Sequence, residues 1–189
     1  MMPEFDPIET TPTTRKRLPM WVIVVSFSAL AVFLVFMAMG LRRSQQGPIT
    51  IGNPVPAFEL TTFDGEQINT ADYEGKLVVI NFWASWCKPC EQEAAELEEV
   101  WQLYKHRDDV VFLGVNYVDI EKPAMEYLQR FAITYPNGPD LRTKVSQMFR
   151  IAGVPETYIV GKDGRLGYVK KGPFLSTGEI TNAIDSILE

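Results

Sequence analysis

Two stretches of the chain, Leu77 to Trp83 (LVVINFW) and Val110 to Tyr117 (VVFLGVNY), are almost uninterrupted apolar runs of strand length. A strand with one wet face alternates polar and apolar residues, so unbroken runs call for strands covered on both sides, as in a parallel sheet clad by helices. Between them Cys90, Ala94, Leu97, Trp101 and Tyr104 recur at spacings of three and four, which predicts a helix from about Cys87 to His106. Strand, helix and strand in that order make a right-handed parallel crossover, and the centre of the fold is therefore α/β.

Shorter signals complete the layout. Ala57 to Thr62 and Glu66 to Asn69 flank Asp64-Gly65 as a hairpin, and Thr157 to Gly161 and Arg165 to Lys171 do the same around Asp163-Gly164. Glu121 to Ala132 reads as a helix, and Thr143 to Phe149 as a short one. The last helix opens at Ser176 with Glu179 three residues on, a capping box. One globular domain is expected over residues 51–189; 46% hydrophobic residues are enough to fill its core.

Ahead of it lies an uncharged apolar run, Met20 to Leu41. As a helix it would extend roughly 33 Å, enough to cross a bilayer core of about 30 Å. A buried core helix would show a polar face, and here only Ser26 and Ser28 interrupt the run. A cleaved signal peptide would have a shorter apolar segment, although Ala38-Met39-Gly40 offers a small-x-small pattern. The expected order is a short cytoplasmic tail (1–19), a transmembrane signal-anchor helix (20–41), a linker (42–50) and the globular domain. Arg15, Lys16 and Arg17 precede the span and Arg42 and Arg43 follow it, so charge tips the N-terminus only slightly toward the cytoplasm. The formal net charge of −6 argues against nucleic acid as a partner.

The chemistry concentrates in Ala-Ser-Trp-Cys-Lys-Pro-Cys, which holds both cysteines of the chain. Cys-x-x-Cys where a buried strand gives way to a helix is a redox arrangement. At a helix start Cys87 meets unpaired backbone N–H groups and the positive end of the dipole, and Lys88 adds a charge; such surroundings lower a thiol from about 8.5 toward 7. Pro89 suits the first turn, where its missing N–H costs nothing. Cys90, one turn on, is expected to be shielded, so an exposed Cys87 attacks and Cys90 resolves. Zinc would need four ligands, and with two cysteines and His106 the inventory falls short. A Cys-His protease is disfavoured because His106 lies about 28 Å along the helix from Cys87. A structural disulfide would close a loop too small to stabilise much.

NFWASWCKPC after a buried strand, with GVPET before a strand and a D-G hairpin, resembles the thioredoxin fold, and more narrowly the membrane-anchored TlpA/ResA/CcmG-like group. The likeness runs from about Ile51 to Glu189 and includes the leading IGNPVPAFEL…DG hairpin. It implies a central mixed sheet flanked by helices, with an N-terminal hairpin extension. It also implies a cis peptide at Val154-Pro155 that faces the cysteines and offers backbone to a substrate; the residues alone equally allow a trans Pro155 opening an edge strand. Thioredoxin has an aspartate where this chain has Asn81, which cannot titrate. The group often has a glutamate three residues after the second cysteine, and Glu93 fits. Helical geometry also places Glu93 about 60° from Cys90, with Glu99 opposite. If buried, Glu93 would have a raised pKa and could take the proton of Cys90. Trp86, Lys88, Pro89, Val154 and Pro155 are the candidate substrate-contacting residues.

The expected function is thiol-disulfide exchange on protein substrates outside the cytoplasm, with the Cys87-Cys90 disulfide as the only redox group and no other cofactor. Like its apparent relatives the chain would reduce targets such as apocytochrome c, and a separate integral-membrane thiol donor would supply electrons. The same scaffold could oxidise instead, since direction follows a potential that ranges from about −270 to −120 mV among such proteins. A peroxidase of the peroxiredoxin type would carry Thr or Ser three residues before the reactive cysteine, where this chain has Ala84. A binding module with a structural disulfide is the non-enzymatic alternative.

Overall fold

The structure, a computed structural model, describes residues 19–44 and 49–188. The expected tail falls almost wholly outside the described residues, as do residues 45–48 of the expected linker, whose first residues instead continue the helix. The chain divides into residues 1–46 and 47–189. In the first, helix α1 spans Met20–Ser44, and its stretch Met20–Met39 is long and apolar enough to cross a membrane.

In the second, β1 (Glu59–Thr61) and β2 (Gln67–Asn69) pair antiparallel in a hairpin shorter than the sequence suggests. Then come β3 (Leu77–Trp83), α2 (Ala94–Tyr104), β4 (Val110–Tyr117), α3 (Glu121–Arg130), β5 (Asn137–Asp140), α4 (Lys144–Phe149), β6 (Glu156–Val160), β7 (Leu166–Lys171) and α5 (Thr177–Leu188). The five-stranded sheet has the order β5-β4-β3-β6-β7. β4 runs parallel to β3 and to β5, whereas β6 runs antiparallel to β3 and to β7. This is the thioredoxin-like mixed sheet, and every residue of its central strand β3 is buried, as an unbroken apolar run requires.

Alternation along β3 sorts the core into two layers. Val78, Ile80 and Phe82 join Phe58, Leu60, Leu113, Phe149 and Tyr158 on the face covered by the hairpin and α4. Leu77 and Val79 join Leu97, Val100, Phe112, Phe174, Ile180 and Ile184 on the face covered by α2 and α5. A third cluster, at the end of β3, gathers Trp83, Ala84, Cys87, Cys90, Ala94, Ala124 and Tyr127.

Three elements differ from expectation. The segment after Trp86 begins with a 3-10 turn over Pro89–Gln92, and α2 starts only at Ala94. β5, with the sequence Asn-Gly-Pro-Asp, is a strand not anticipated from the sequence, and it lies at the sheet edge, where proline is tolerated. The box before α5 is half formed. Ser176 Oγ accepts the Glu179 N–H at 3.2 Å, but the Glu179 carboxylate turns to the Leu175 N–H and to Lys170.

Candidate active site

The end of β3, the loop after it and the first turn toward α2 bring Cys87 and Cys90 together. They are joined as a disulfide with Cα atoms 5.3 Å apart. The Cys90 N–H donates to Cys87 Sγ at 3.1 Å, and the Cys90 carbonyl accepts the Tyr127 hydroxyl at 2.9 Å. The expectation of an exposed Cys87 is corrected: it is 3% exposed against 1% for Cys90, because Trp83, Ala84, Ala94 and Tyr127 close around the pair. Exposure therefore hardly separates the two thiols in the disulfide state. The backbone N–H does, since it is aimed at Cys87 Sγ and favours a thiolate there. Cys87 sits ahead of a 3-10 turn rather than on the α-helix itself, and the same N–H also reaches the Cys87 carbonyl at 3.2 Å.

Lys88 follows Cys87 in the chain. Its ammonium is well exposed and pairs with Glu91 at 3.0 Å, and Glu91 is shared with Arg130 at 3.4 Å. The Lys88 hydrogen bond, ahead of the Arg130 charge, holds the Glu91 carboxyl below its ordinary value. Pro89 is exposed at the start of the turn.

Glu93 closes the turn from beneath. It is 1% exposed, with Oε1 accepting from Asn81 Nδ2 at 2.8 Å and Oε2 from the Phe174 N–H at 2.9 Å. The second Asn81 N–H goes to Thr157 Oγ1 at 2.9 Å. Burial pushes the Glu93 pKa up to about 7, more than the hydrogen bonds from Phe174 and Asn81 pull it down. A carboxyl held near neutrality beside a dithiol can accept and return a proton at physiological pH.

On the opposite side the Val154–Pro155 peptide is cis and Pro155 is buried. Val154 packs against the cluster that contains both cysteines. Among the described residues neither backbone group of Val154 has a hydrogen-bond partner. The loop before it is braced by buried Glu156, which accepts the Ala152 N–H at 2.9 Å and the Tyr158 hydroxyl at 2.6 Å.

Trp86 is 58% exposed beside Cys87, and its indole N–H donates to the Val118 carbonyl at 3.2 Å. Asp119, next in the chain, accepts from Ser85 N (2.6 Å), Ser85 Oγ (2.8 Å), Asn116 Nδ2 (2.9 Å) and Ile120 N (2.8 Å). Burial raises its pKa, and these bonds outweigh that and hold it below the ordinary range. The β4–α3 connection thus grips the loop that delivers Cys87. Sequence reasoning missed Asp119, Tyr127 and Phe174. Tyr127 falls three residues after Ala124 on an inward stripe, a signal that was present; a backbone donor such as Phe174 N leaves none. It also missed that Glu98 is buried, accepting from the Thr134 N–H at 2.8 Å and hydroxyl at 2.6 Å.

Residues 51–169, which contain all of the sheet but the end of β7, the cysteine pair and the cis proline, match the AhpC/TSA family. The chain belongs to that family. A thiol-disulfide oxidoreductase ResA of Geobacillus kaustophilus is 29% identical over 144 residues, 76% of this chain and 82% of that one. A ResA of Bacillus cereus is 29% identical over 116 residues, 61% of this chain and 66% of the relative. Among solved structures, a thiol:disulfide interchange protein of the thioredoxin family from Chlorobium tepidum superposes with a TM-score of 0.67 at 23% identity, covering 76% of this chain and all of that one. StoA from Bacillus subtilis gives 0.61 at 21% identity, over 69% and 97% of the two chains. The chemistry of the chain is that of a thiol-disulfide oxidoreductase.

Proposed function

We propose that the domain exchanges disulfides with protein substrates, with Cys87 as nucleophile, Cys90 as resolving thiol and Glu93 as proton acceptor. The Cys87 thiolate attacks one sulfur of a substrate disulfide; that S–S bond breaks, the departing thiolate takes up a proton, and a mixed disulfide remains. Cys90 passes its proton to Glu93 and attacks Cys87 Sγ. The second substrate thiolate leaves, and the Cys87–Cys90 bond closes with two electrons transferred. A carboxyl poised near 7 is suited to both halves of that proton traffic. The unpaired backbone of Val154 supports a substrate strand laid along the cis turn, with Trp86 at its rim. Lys88 and Pro89, exposed beside the pair, would border the same track.

The direction we favour is reduction, with protein disulfides such as those of apocytochrome c as targets, by analogy with relatives named ResA. Helix α1 would tether the domain outside the cytoplasm, and an integral-membrane thiol donor would re-reduce it. No cofactor beyond the cysteine pair is invoked. A peroxidase is disfavoured by Ala84, which offers no hydroxyl three residues before Cys87.

The juxtaposition of the Cys90 N–H with Cys87 Sγ carries the assignment of roles. Cys90→Ser expressed in intact cells should accumulate mixed disulfides through Cys87, and an impermeant thiol reagent should label reduced Cys87 without lysis. Trapping by Cys87→Ser instead would reverse the roles, and labelling only after lysis would refute the placement.

A further inference from the structure

The Cys90 carbonyl lies where the 3-10 turn gives way to α2, and its partner within the turn is the Glu93 N–H at a long 3.3 Å. The stronger donor comes from another helix: Tyr127 on α3 places its hydroxyl 2.9 Å from that carbonyl. Packing aims the hydroxyl. Tyr127 is 6% exposed, stacks on Trp83 at 4.5 Å between ring centroids and meets Phe131 at 4.7 Å. The Trp83 indole is itself pinned to Asn137 Oδ1 at 2.7 Å. Residue 90 is thus gripped at both backbone groups, its N–H shared between Cys87 Sγ at 3.1 Å and the Cys87 carbonyl at 3.2 Å, and its C=O on Tyr127.

We infer that Tyr127 is a positioning residue for the redox pair: through the Cys90 carbonyl it holds the turn in the one geometry that aims the Cys90 N–H at Cys87 Sγ. This rests on the dithiol-exchange reading above. Tyr127 touches neither sulfur and takes no part in bond making. Its effect falls on the reduced state, in which the Cys90 N–H stabilises the Cys87 thiolate. Without the hydroxyl the Cys90 carbonyl keeps only the long Glu93 bond, the turn relaxes at residue 90, the N–H shifts off the sulfur, and the dithiol form loses stability relative to the disulfide. The charged groups around the turn are Glu93 beneath it and the Lys88–Glu91–Arg130 cluster outside it. Replacing the tyrosine by phenylalanine removes none of them.

The test is Tyr127→Phe in the full chain, in detergent, with two measurements. The Cys87 thiol is titrated by thiolate absorbance, and the dithiol-disulfide equilibrium is measured against glutathione. The thiol pKa should rise, and the equilibrium should move roughly tenfold toward the disulfide, about 30 mV more reducing. Unchanged values for both, even with a lower melting temperature, would reduce Tyr127 to packing and overturn the inference. Should the phenylalanine variant not fold, a ring-fluorinated tyrosine at the same position strengthens the donor and should shift the equilibrium toward the dithiol; no shift overturns the inference equally. A wild-type chain that does not exchange with glutathione at all would overturn the proposed function and this inference with it. An active wild type matched by Tyr127→Phe would fell this inference alone.

Discussion

Replacing Glu93 by glutamine separates a titrating carboxyl from a merely hydrogen-bonding one. On folding its pKa rises from an ordinary 4.5 to about 7, because the side chain is almost fully buried. Between those values the folded chain retains a proton that the unfolded chain has lost, so stability falls as pH rises through the window and levels off above about 7. At roughly 1.4 kcal/mol per pH unit, the ionised carboxylate costs the folded state about 3 kcal/mol at pH 8. Glutamine carries no such cost. It offers one acceptor to two donors, Asn81 Nδ2 and Phe174 N, a pH-independent loss of about 1 to 3 kcal/mol. Guanidinium unfolding of the oxidised, detergent-solubilised chain should therefore show Glu93→Gln less stable than wild type at pH 4.5 and level with it or better at pH 8. The difference between the two should change by about 3 kcal/mol across that range. A difference that stays constant would mean that Glu93 does not titrate there, and its role in proton transfer would fall. At pH 7 the same variant should resolve a mixed disulfide about a hundredfold more slowly.

Two further outcomes follow from packing around the site. A Cβ at Gly114 would stand 1.6 Å from Asn137 Oδ1, the atom that holds the Trp83 indole, whereas one at Gly153 meets nothing within 4 Å. Gly114→Ala should lower stability by about 3 kcal/mol or more in chemical denaturation and Gly153→Ala by less than about 1 kcal/mol; equal effects would contradict the packing described. Asp119→Ala removes the acceptor of four hydrogen bonds and should cost about 2 to 4 kcal/mol and slow insulin reduction severalfold. Full activity would show that the Ser85 loop keeps its place without that grip.

The elements legible in the sequence were those in which local pattern and burial agree. LVVINFW and VVFLGVNY could only be covered strands, and the cysteines marked the turn after the first. What failed was decided by contacts between distant segments. β5 is made by its ladder with β4 and by the close approach of the hairpin at Gly138, where a Cβ would stand only 2.4 Å from the Thr61 carbonyl oxygen, and no local signal predicts either. Spacing placed Glu93 inward, yet it could not distinguish a 3-10 turn from an α-helix, so the helix began too early at Cys87. Glu98 is buried against two donors from Thr134, 36 residues away, which no local spacing shows. Cys87 looked exposed because a single strand-turn-helix motif does not show that Tyr127 and Ala124 arrive from a later helix to roof it.

The Phe174 amide that holds Glu93 sits after the last strand, while Asn81 belongs to the first long one. The proton store proposed for the reaction would consequently be assembled from segments far apart in the globular domain. Grafting the Cys-Lys-Pro-Cys segment onto another strand-to-helix junction would transfer the sulfurs and leave that reservoir behind.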